Sequence, residues 1–411
     1  DTFNTAIGFE AGGAVTTGIQ NTLIGALAGD ALTDADYNVA LGIGALTTDT
    51  LGSKSTALGS YALSNQNFTS ATDAHNTAVG NNAGGAVTTG VQNTLIGSLA
   101  GDALTDADYN VALGYSSLTT NQLGSKSTAI GTFSLNNQNP ASATDMFNTA
   151  VGYAAGGVVS IGTQNTLIGG LAGDAITSGT NNTTLGYLAL SANTEGNYNV
   201  AVGSGSLLNV NHTSSTDAWN TAVGTNSGLS MTTGIFNTLI GGLSGDAITT
   251  GNQNTALGYQ SLSGGVASSY NTAIGYQALL SDTTGRESVA VGRNALRTQN
   301  DTTSSSTYNT AVGAQAGFAI TTGVNNTLIG GLAGDALTDA DFNVAIGTSA
   351  LSADTLGSRS VAIGRNSLAT QNFTSATATY NTAVGYSAGS AVTTGIQNTL
   401  IGGLAGDAIT E

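Results

Sequence analysis

The pentapeptide Asn-Thr-Ala-Val-Gly and its close variants occur 23 times in 411 residues, on a fixed grid. Copies start at Asn4, Asn21, Asn38 and Ser55, 17 residues apart, and the next starts 21 residues later at Asn76. The same rhythm runs from Asn76 and from Asn148, gains one 17-residue step between Asn220 and Ser288, and resumes at Asn309 and Asn381. The superrepeats therefore span 4–75, 76–147, 148–219, 220–308, 309–380 and 381–411. A period this short and strict means that each unit touches chiefly its neighbours, so the chain is expected to grow along one axis. It opens at Asp1 almost in phase with the repeat and is read as a segment of a longer protein.

Composition narrows the class. Only 8 % of residues are charged, with 59 glycines and one proline, whereas a globular enzyme carries about a quarter charged residues. Disorder is excluded by the Val, Leu or Ile at set positions of every unit. The net charge of −17 opposes nucleic acid as a partner, because phosphate binding needs many Lys and Arg. No cysteine is present, which removes disulfides and thiolate metal sites. No apolar run approaches the ~20 residues of a membrane-spanning helix, so no membrane insertion is expected of this segment.

Within one unit, Asn4-Thr5-Ala6-Ile7-Gly8 reads as a short strand, with Asn4, Ala6 and Gly8 on one side and Thr5 and Ile7 on the other. Neither face is charged, so both are expected to be covered. A second strand is expected in segments such as Ala14-Val15-Thr16-Thr17-Gly18 and Ala31-Leu32-Thr33. Two strands and two turns make one flat coil, and 23 coils at the ~4.8 Å strand spacing give roughly 110 Å of β-solenoid. Glycines and β-branched residues without a 3.6 period oppose a helix.

Stacking sets equivalent residues above one another. The first residue is Asn in 19 units, and Ser at Ser55, Ser127, Ser288 and Ser360. The asparagines Asn4, Asn21, Asn38, Asn76, Asn93, Asn148, Asn165, Asn220, Asn237, Asn309, Asn381 and Asn398 are accordingly expected to form a hydrogen-bonded ladder. The fifth residue is Gly in all 23 copies, beginning Gly8, Gly25, Gly42, Gly59, Gly80 and Gly97. Positive φ or close backbone approach would require it. One thin coil buries little, and the small residues of the strand suit close approach of another chain. A homotrimer around a shared axis is therefore expected, with a monomeric solenoid as the alternative.

Other features bear on recognition. The longer fourth units place Phe68 and Phe373 in added turn residues, where a protruding loop could meet a receptor and a groove-filling loop would not. The seven basic residues fall at or beside the third and fourth units, where pairing with acidic neighbours is favoured over binding anionic glycans. Asp34 with Asp36, Asp106 with Asp108 and Asp339 with Asp341 could join a Ca²⁺ site, but such a site needs six to eight oxygens, so solvated turns are the preferred reading. No other cofactor is suggested. An aromatic precedes the first residue in 11 units, Trp219 among them, and is expected to fill the coil corner rather than to stack on sugars. Catalysis finds no foothold: cysteine is absent, and His75 and His212 occupy different unit positions.

Asn148-Thr149-Ala150-Val151-Gly152-Tyr153-Ala154-Ala155-Gly156 and Ser360-Val361-Ala362-Ile363-Gly364-Arg365-Asn366-Ser367 resemble the head repeats of trimeric autotransporter adhesins. Asn398-Thr399-Leu400-Ile401-Gly402-Gly403-Leu404-Ala405-Gly406-Asp407 is similar to repeats in fibre proteins of marine bacteriophages. The resemblance covers the whole chain. It implies a trimeric parallel β-roll serving as a structural and adhesive fibre: a phage virion fibre, exposed at the virion surface, that projects a host-receptor-binding end. The alternatives are a bacterial surface adhesin head or stalk, or a self-assembling extracellular filament. The implied partners are further copies of the chain and a host-surface glycan or protein. The adhesin family's usual unit is shorter, so 17 residues imply longer turns.

Overall fold

A computed structural model describes residues 2–411. The chain is an all-β parallel solenoid of about 23 turns, with no helix among the described residues. Each turn contributes one three-residue strand, formed by the second to fourth residues of the repeat, as in Thr5–Ile7, Thr22–Ile24 and Val39–Leu41. Neighbours pair in parallel with Thr5 on Thr22, Ala6 on Leu23 and Ile7 on Ile24. The added residues of the longer units leave this register intact, since Thr56 faces Thr77 and Ala57 faces Ala78.

Two compact units can be distinguished. The first comprises residues 2–199 with Asn211–Asp217 and carries eleven of the three-residue strands, the last being Thr183–Leu185. The second comprises Val200–Val210 with Ala218–Glu411 and carries twelve, from Val200–Val202 to Thr399–Ile401.

The second strand expected in each coil is absent. Ala14-Val15-Thr16-Thr17-Gly18 and Ala31-Leu32-Thr33 form turns and bends. That wall still stacks through its backbone, with Thr16 N donating to Thr33 O at 3.0 Å and Thr33 N to Thr50 O at 2.9 Å. The Thr16 and Thr33 hydroxyls donate to the same carbonyls at 3.1 and 3.0 Å. Each coil also holds left-handed residues, as at Leu27, Gly29 and Tyr37, and such residues interrupt extended backbone. Only beside the longer units do extra two-residue strands pair, as Gly52–Ser53 does with Thr72–Asp73.

The central strand residue points inward. Leu23, Ala40, Ala57, Ala78 and Leu95 are all buried, so the small residues line the inside of the coil and do not face another chain. Their sizes are matched across coils. Where the strand centre is Leu, the ninth residue of that unit and of the unit before is Gly: Leu23 lies over Gly12 and Gly29, where an added Cβ would meet its methyls at 2.8 Å. Where neither a unit's own centre nor the next unit's is Leu, as at Ala40 and Ala57, the ninth residue is a buried Leu, Leu46 or Leu63. The exchange keeps the volume inside the coil filled at interior density.

The outward face is not covered within the chain. A column of Thr with some Val runs there beside a column of Ile, Leu and Val, and Leu41, Leu58, Leu113, Leu185, Ile240 and Ile329 are all exposed, Leu185 at 49 %. The expectation of a strand covered on both sides therefore fails for the single chain.

Candidate functional site

No concave pocket opens among the described residues, and the features available for function are columns running up the stack. The first residue of each repeat forms one of them. Asn21 N donates to Asn4 Oδ1 at 2.8 Å, and Asn38 N to Asn21 Oδ1 at 2.9 Å. Asn165 and Asn182 continue the pattern on Asn148 and Asn165 at 2.9 and 3.0 Å. The Asn21 Nδ2 also crosses its own coil to donate to Ala35 O at 2.7 Å. The same link runs from Asn76 to Gly90, Asn93 to Ala107, Asn148 to Gly162, Asn220 to Gly234, Asn237 to Gly251, Asn309 to Gly323 and Asn381 to Gly395. At the far end Asn398 N donates to Asn381 Oδ1 at 2.9 Å. Each amide thus joins two coils and closes one, which satisfies buried backbone groups that no strand pairs.

Serine is too short to do this, and a buried glutamine of the same unit takes over. Gln66 Oε1 accepts from Asn76 Nδ2 at 2.9 Å, while Gln66 Nε2 donates to Ser55 Oγ at 3.0 Å and to Asp49 Oδ2 at 2.5 Å. Gln138, Gln299 and Gln371 serve Asn148, Asn309 and Asn381 alike. Where the column holds Asn199, the corresponding position is the apolar Val210, also buried. This pairing of Ser with Gln and Asn with Val is written in the sequence at a separation of 11 residues, and period analysis of single units misses it.

The fifth-residue glycines need both their conformation and their lack of a side chain. Gly8, Gly25, Gly42, Gly59, Gly80 and Gly97 have φ between 133° and 141°, and a Cβ on Gly42 would stand 2.4 Å from Gly59 O.

The longer turns differ from the sequence reading in one respect. Phe68 and Phe373 are 6 % and 7 % exposed, so neither is a receptor-contact tip. Phe68 N donates to the buried Asp49 and its ring lies against Gly52, anchoring the turn inward. The exposed part of that turn is Thr69, Ser70 and Ala71.

The corner aromatics are turned outward, not into the coil. Phe147, Tyr270, Tyr308, Phe342 and Tyr380 are exposed, as is Trp219 at 52 %. Every residue at this corner lies in the left-handed region, as Tyr37 (φ 61°), Lys54 (φ 61°) and His75 (φ 50°) do. On the far side of the strand, after the turn glycine, Tyr115, Tyr153, Tyr187, Tyr259, Tyr276 and Tyr386 are exposed as well. Tyr259 and Tyr276 stack with centroids 5.9 Å apart.

Cations join the first corner. Lys54 pairs with Asp73 and Lys126 with Asp145, each at 2.5 Å. Lys126 Nζ also lies 5.3 Å from the Phe147 centroid. Arg359 has rings on both sides, Phe342 and Tyr380.

The six candidate calcium carboxylates reach back to the preceding coil. Asp36, Asp108 and Asp341 accept from Ile19, Val91 and Val324 N–H groups at 2.8 Å. Asp34 accepts from the Thr17 hydroxyl, and Asp106 and Asp339 accept from Thr89 and Thr322 at 2.5 Å. Among the described residues no three acidic or histidine side chains converge as a metal site would require.

Buried ionisable groups sit inside the coils. Desolvation pushes Asp282 up to about 6, against hydrogen bonds from Gly285 N, Gln299 and Asp301 N. Burial raises Asp354 for the same reason and lowers His212, whose Nε2 has no hydrogen-bond partner. The sites equivalent to Asp49, Asp282 and Asp354 in the second and third superrepeats hold Asn121 and Asn193, so an uncharged amide fits the same place.

No protein-family model and no curated protein sequence matches this chain.

Proposed function

We propose that this chain is a structural segment of an adhesive fibre, assembled as a homotrimer through the outward strand face. The observation that carries the proposal is the uncovered column of Val, Leu and Ile beside Thr, present in both units and bracketed by exposed aromatics on each side. Large exposed apolar surface marks an interaction site, and here it repeats with the coil. A second copy in register offers the same columns at the same heights, so the match extends along the stack. The acidic balance of the chain keeps the remaining surface dispersed.

In this reading the segment supplies reach and stiffness, and three chains multiply weak contacts at its exposed turns. The resemblance to phage fibre repeats favours the surface of a virion, with a receptor-binding end carried outward. The resemblance to adhesin heads supports the second reading, the same architecture on a bacterial surface, and end-to-end growth would mark a third, a filament. Solution mass and electron microscopy of the purified segment test the proposal. The expected result is a thin particle of three chains at every concentration; a monomeric mass at micromolar concentration would overturn it.

A further inference from the structure

Comparison of the superrepeats isolates one corner. In the first two, the basic corner residue has a built-in counter-ion: Lys54 meets Asp73, and Lys126 meets Asp145. Both carboxylates belong to a two-residue strand whose register is fixed, Ser53 on Asp73 and Ser125 on Asp145. In the fifth superrepeat the strand pairing is the same, but Ser358 faces Ala378. The cation is retained as Arg359, and its carboxylate is gone. Among the described residues Arg359 makes no ion pair; Asp341, one coil away, spends its Oδ1 on Val324 N.

Arg359 is held without that partner. Its guanidinium lies 5.6 Å from the Phe342 centroid and 5.8 Å from the Tyr380 centroid, and all three side chains are exposed. Two rings restrict the side chain and leave the edge of the guanidinium fork without a counter-ion. A planar fork binds a carboxylate through two parallel hydrogen bonds, which an ammonium cannot do. The exposed ring surfaces beside it suit the C–H face of a pyranose.

We infer that Arg359, Phe342 and Tyr380 form a binding corner for a carboxylated sugar, whose acid group takes the place that Asp73 and Asp145 occupy beside Lys54 and Lys126. The inference stands whether or not the chain trimerises. An isolated exposed charge pair is weak, so a single corner binds in the millimolar range, and repetition on several chains or particles would raise the avidity.

Ligand-observed saturation-transfer NMR with methyl β-D-glucuronide, at low ionic strength, tests this on the full chain. Saturation transfer is expected with the glucuronide and not with methyl β-D-glucoside. It should fall at least tenfold in Arg359→Gln and equally in Ala378→Asp, which supplies the internal carboxylate while leaving Arg359 in place. Ala378→Ser should bind as the parent does. Melting temperatures identify any variant that fails to fold, and Ala378→Asp, at a half-buried strand position whose equivalents hold Asp73 and Asp145, is expected to melt with the parent. Undiminished binding in Ala378→Asp, equal binding of the glucoside, or no binding of the glucuronide at tens of millimolar would overturn the inference. A lower oligomer mass in Arg359→Gln would also overturn it, because the corner would then hold a neighbouring chain. That outcome is distinct from failure of the trimer itself, which the parent's mass reports.

Discussion

Gln138 and Asn148 meet inside the solenoid, the Gln138 Oε1 accepting from Asn148 Nδ2 at 2.9 Å. The contact exists because Ser127 stands in the column where most coils carry Asn. Gln138 Nε2 turns to the Ser127 hydroxyl at 3.1 Å, so one side chain spans the gap that the serine leaves.

Replacing Gln138 by Val should cost about 1–3 kcal/mol, because buried polar groups lose their partners. The double variant Ser127→Asn with Gln138→Val reproduces the Asn199 and Val210 pairing and should recover most of that loss. Thermal or denaturant unfolding of the two single variants and the double checks this as a cycle, with an expected coupling of about 1 kcal/mol or more. Simple additivity would show that the two positions are independent.

Gly42→Ala should be severely destabilising. The new Cβ would stand 2.4 Å from Gly59 O at a φ of 141°, and backbone strain alone is on the order of 1–3 kcal/mol before the collision is counted. Gly331→Ala is the matched control, because the nearest atom to its Cβ would be Ala314 O at 3.9 Å. Melting temperatures should fall sharply for the first and stay within a degree or two for the second.

Stability should depend on pH through Asp282. Its carboxyl is raised from 3.8 to about 6 by desolvation, so between those values the folded state holds a proton that the unfolded state has released. Stability therefore declines as pH rises through that window and levels off above it. Asp282→Asn should remove the decline, raising stability at pH 7.5 by roughly 2–3 kcal/mol, the size of a two-unit shift, while leaving pH 4 nearly unchanged. Unfolding curves at the two pH values decide it, and an equal effect at both would rule out the titration.

The outward face offers a direct test of assembly. Leu113→Lys, Ile240→Lys and Ile329→Lys combined should lower the oligomer mass on dilution without altering the circular dichroism of the chain, since all three side chains are exposed in the single chain. A mass unchanged down to nanomolar concentration would place the interface elsewhere.

Much of this architecture could be read from the residues. The parallel stacking follows from the 17-residue period, and the strand from Thr-Ala-Ile and its variants, where β-branched residues alternate with a small one. Ala31-Leu32-Thr33 has a strand-like composition, yet the backbone there turns. Left-handed residues such as Leu27 and Tyr37 carry no sequence signature, because Tyr, Lys, His and Gln all occupy the same corner. For that reason the direction of the corner aromatics was not legible. Phe68 lies in a turn that four added residues lengthen, which in sequence fits a protruding loop as well as a groove-filling one. Its burial depends on Gly52, sixteen residues earlier, which leaves room for the ring. The exchange of Leu and Gly between strand centre and ninth residue was present in the sequence, but it appears only when adjacent units are compared.

Leu23 resting over Gly12 and Gly29 sets a rule for how such a chain can change length through gene duplication. Deleting the coil that begins at Asn76 would bring Leu95 onto Leu63 in place of Gly84, where even a Cβ stands 2.7 Å from the Leu95 methyl. Coils are thus not freely shuffled, and the safe cassette is a whole superrepeat such as 76–147. The extra coil beginning at Asn254 obeys the same grammar: with Ala256 at its centre and Leu262 at its ninth residue, it extends a run of its own kind.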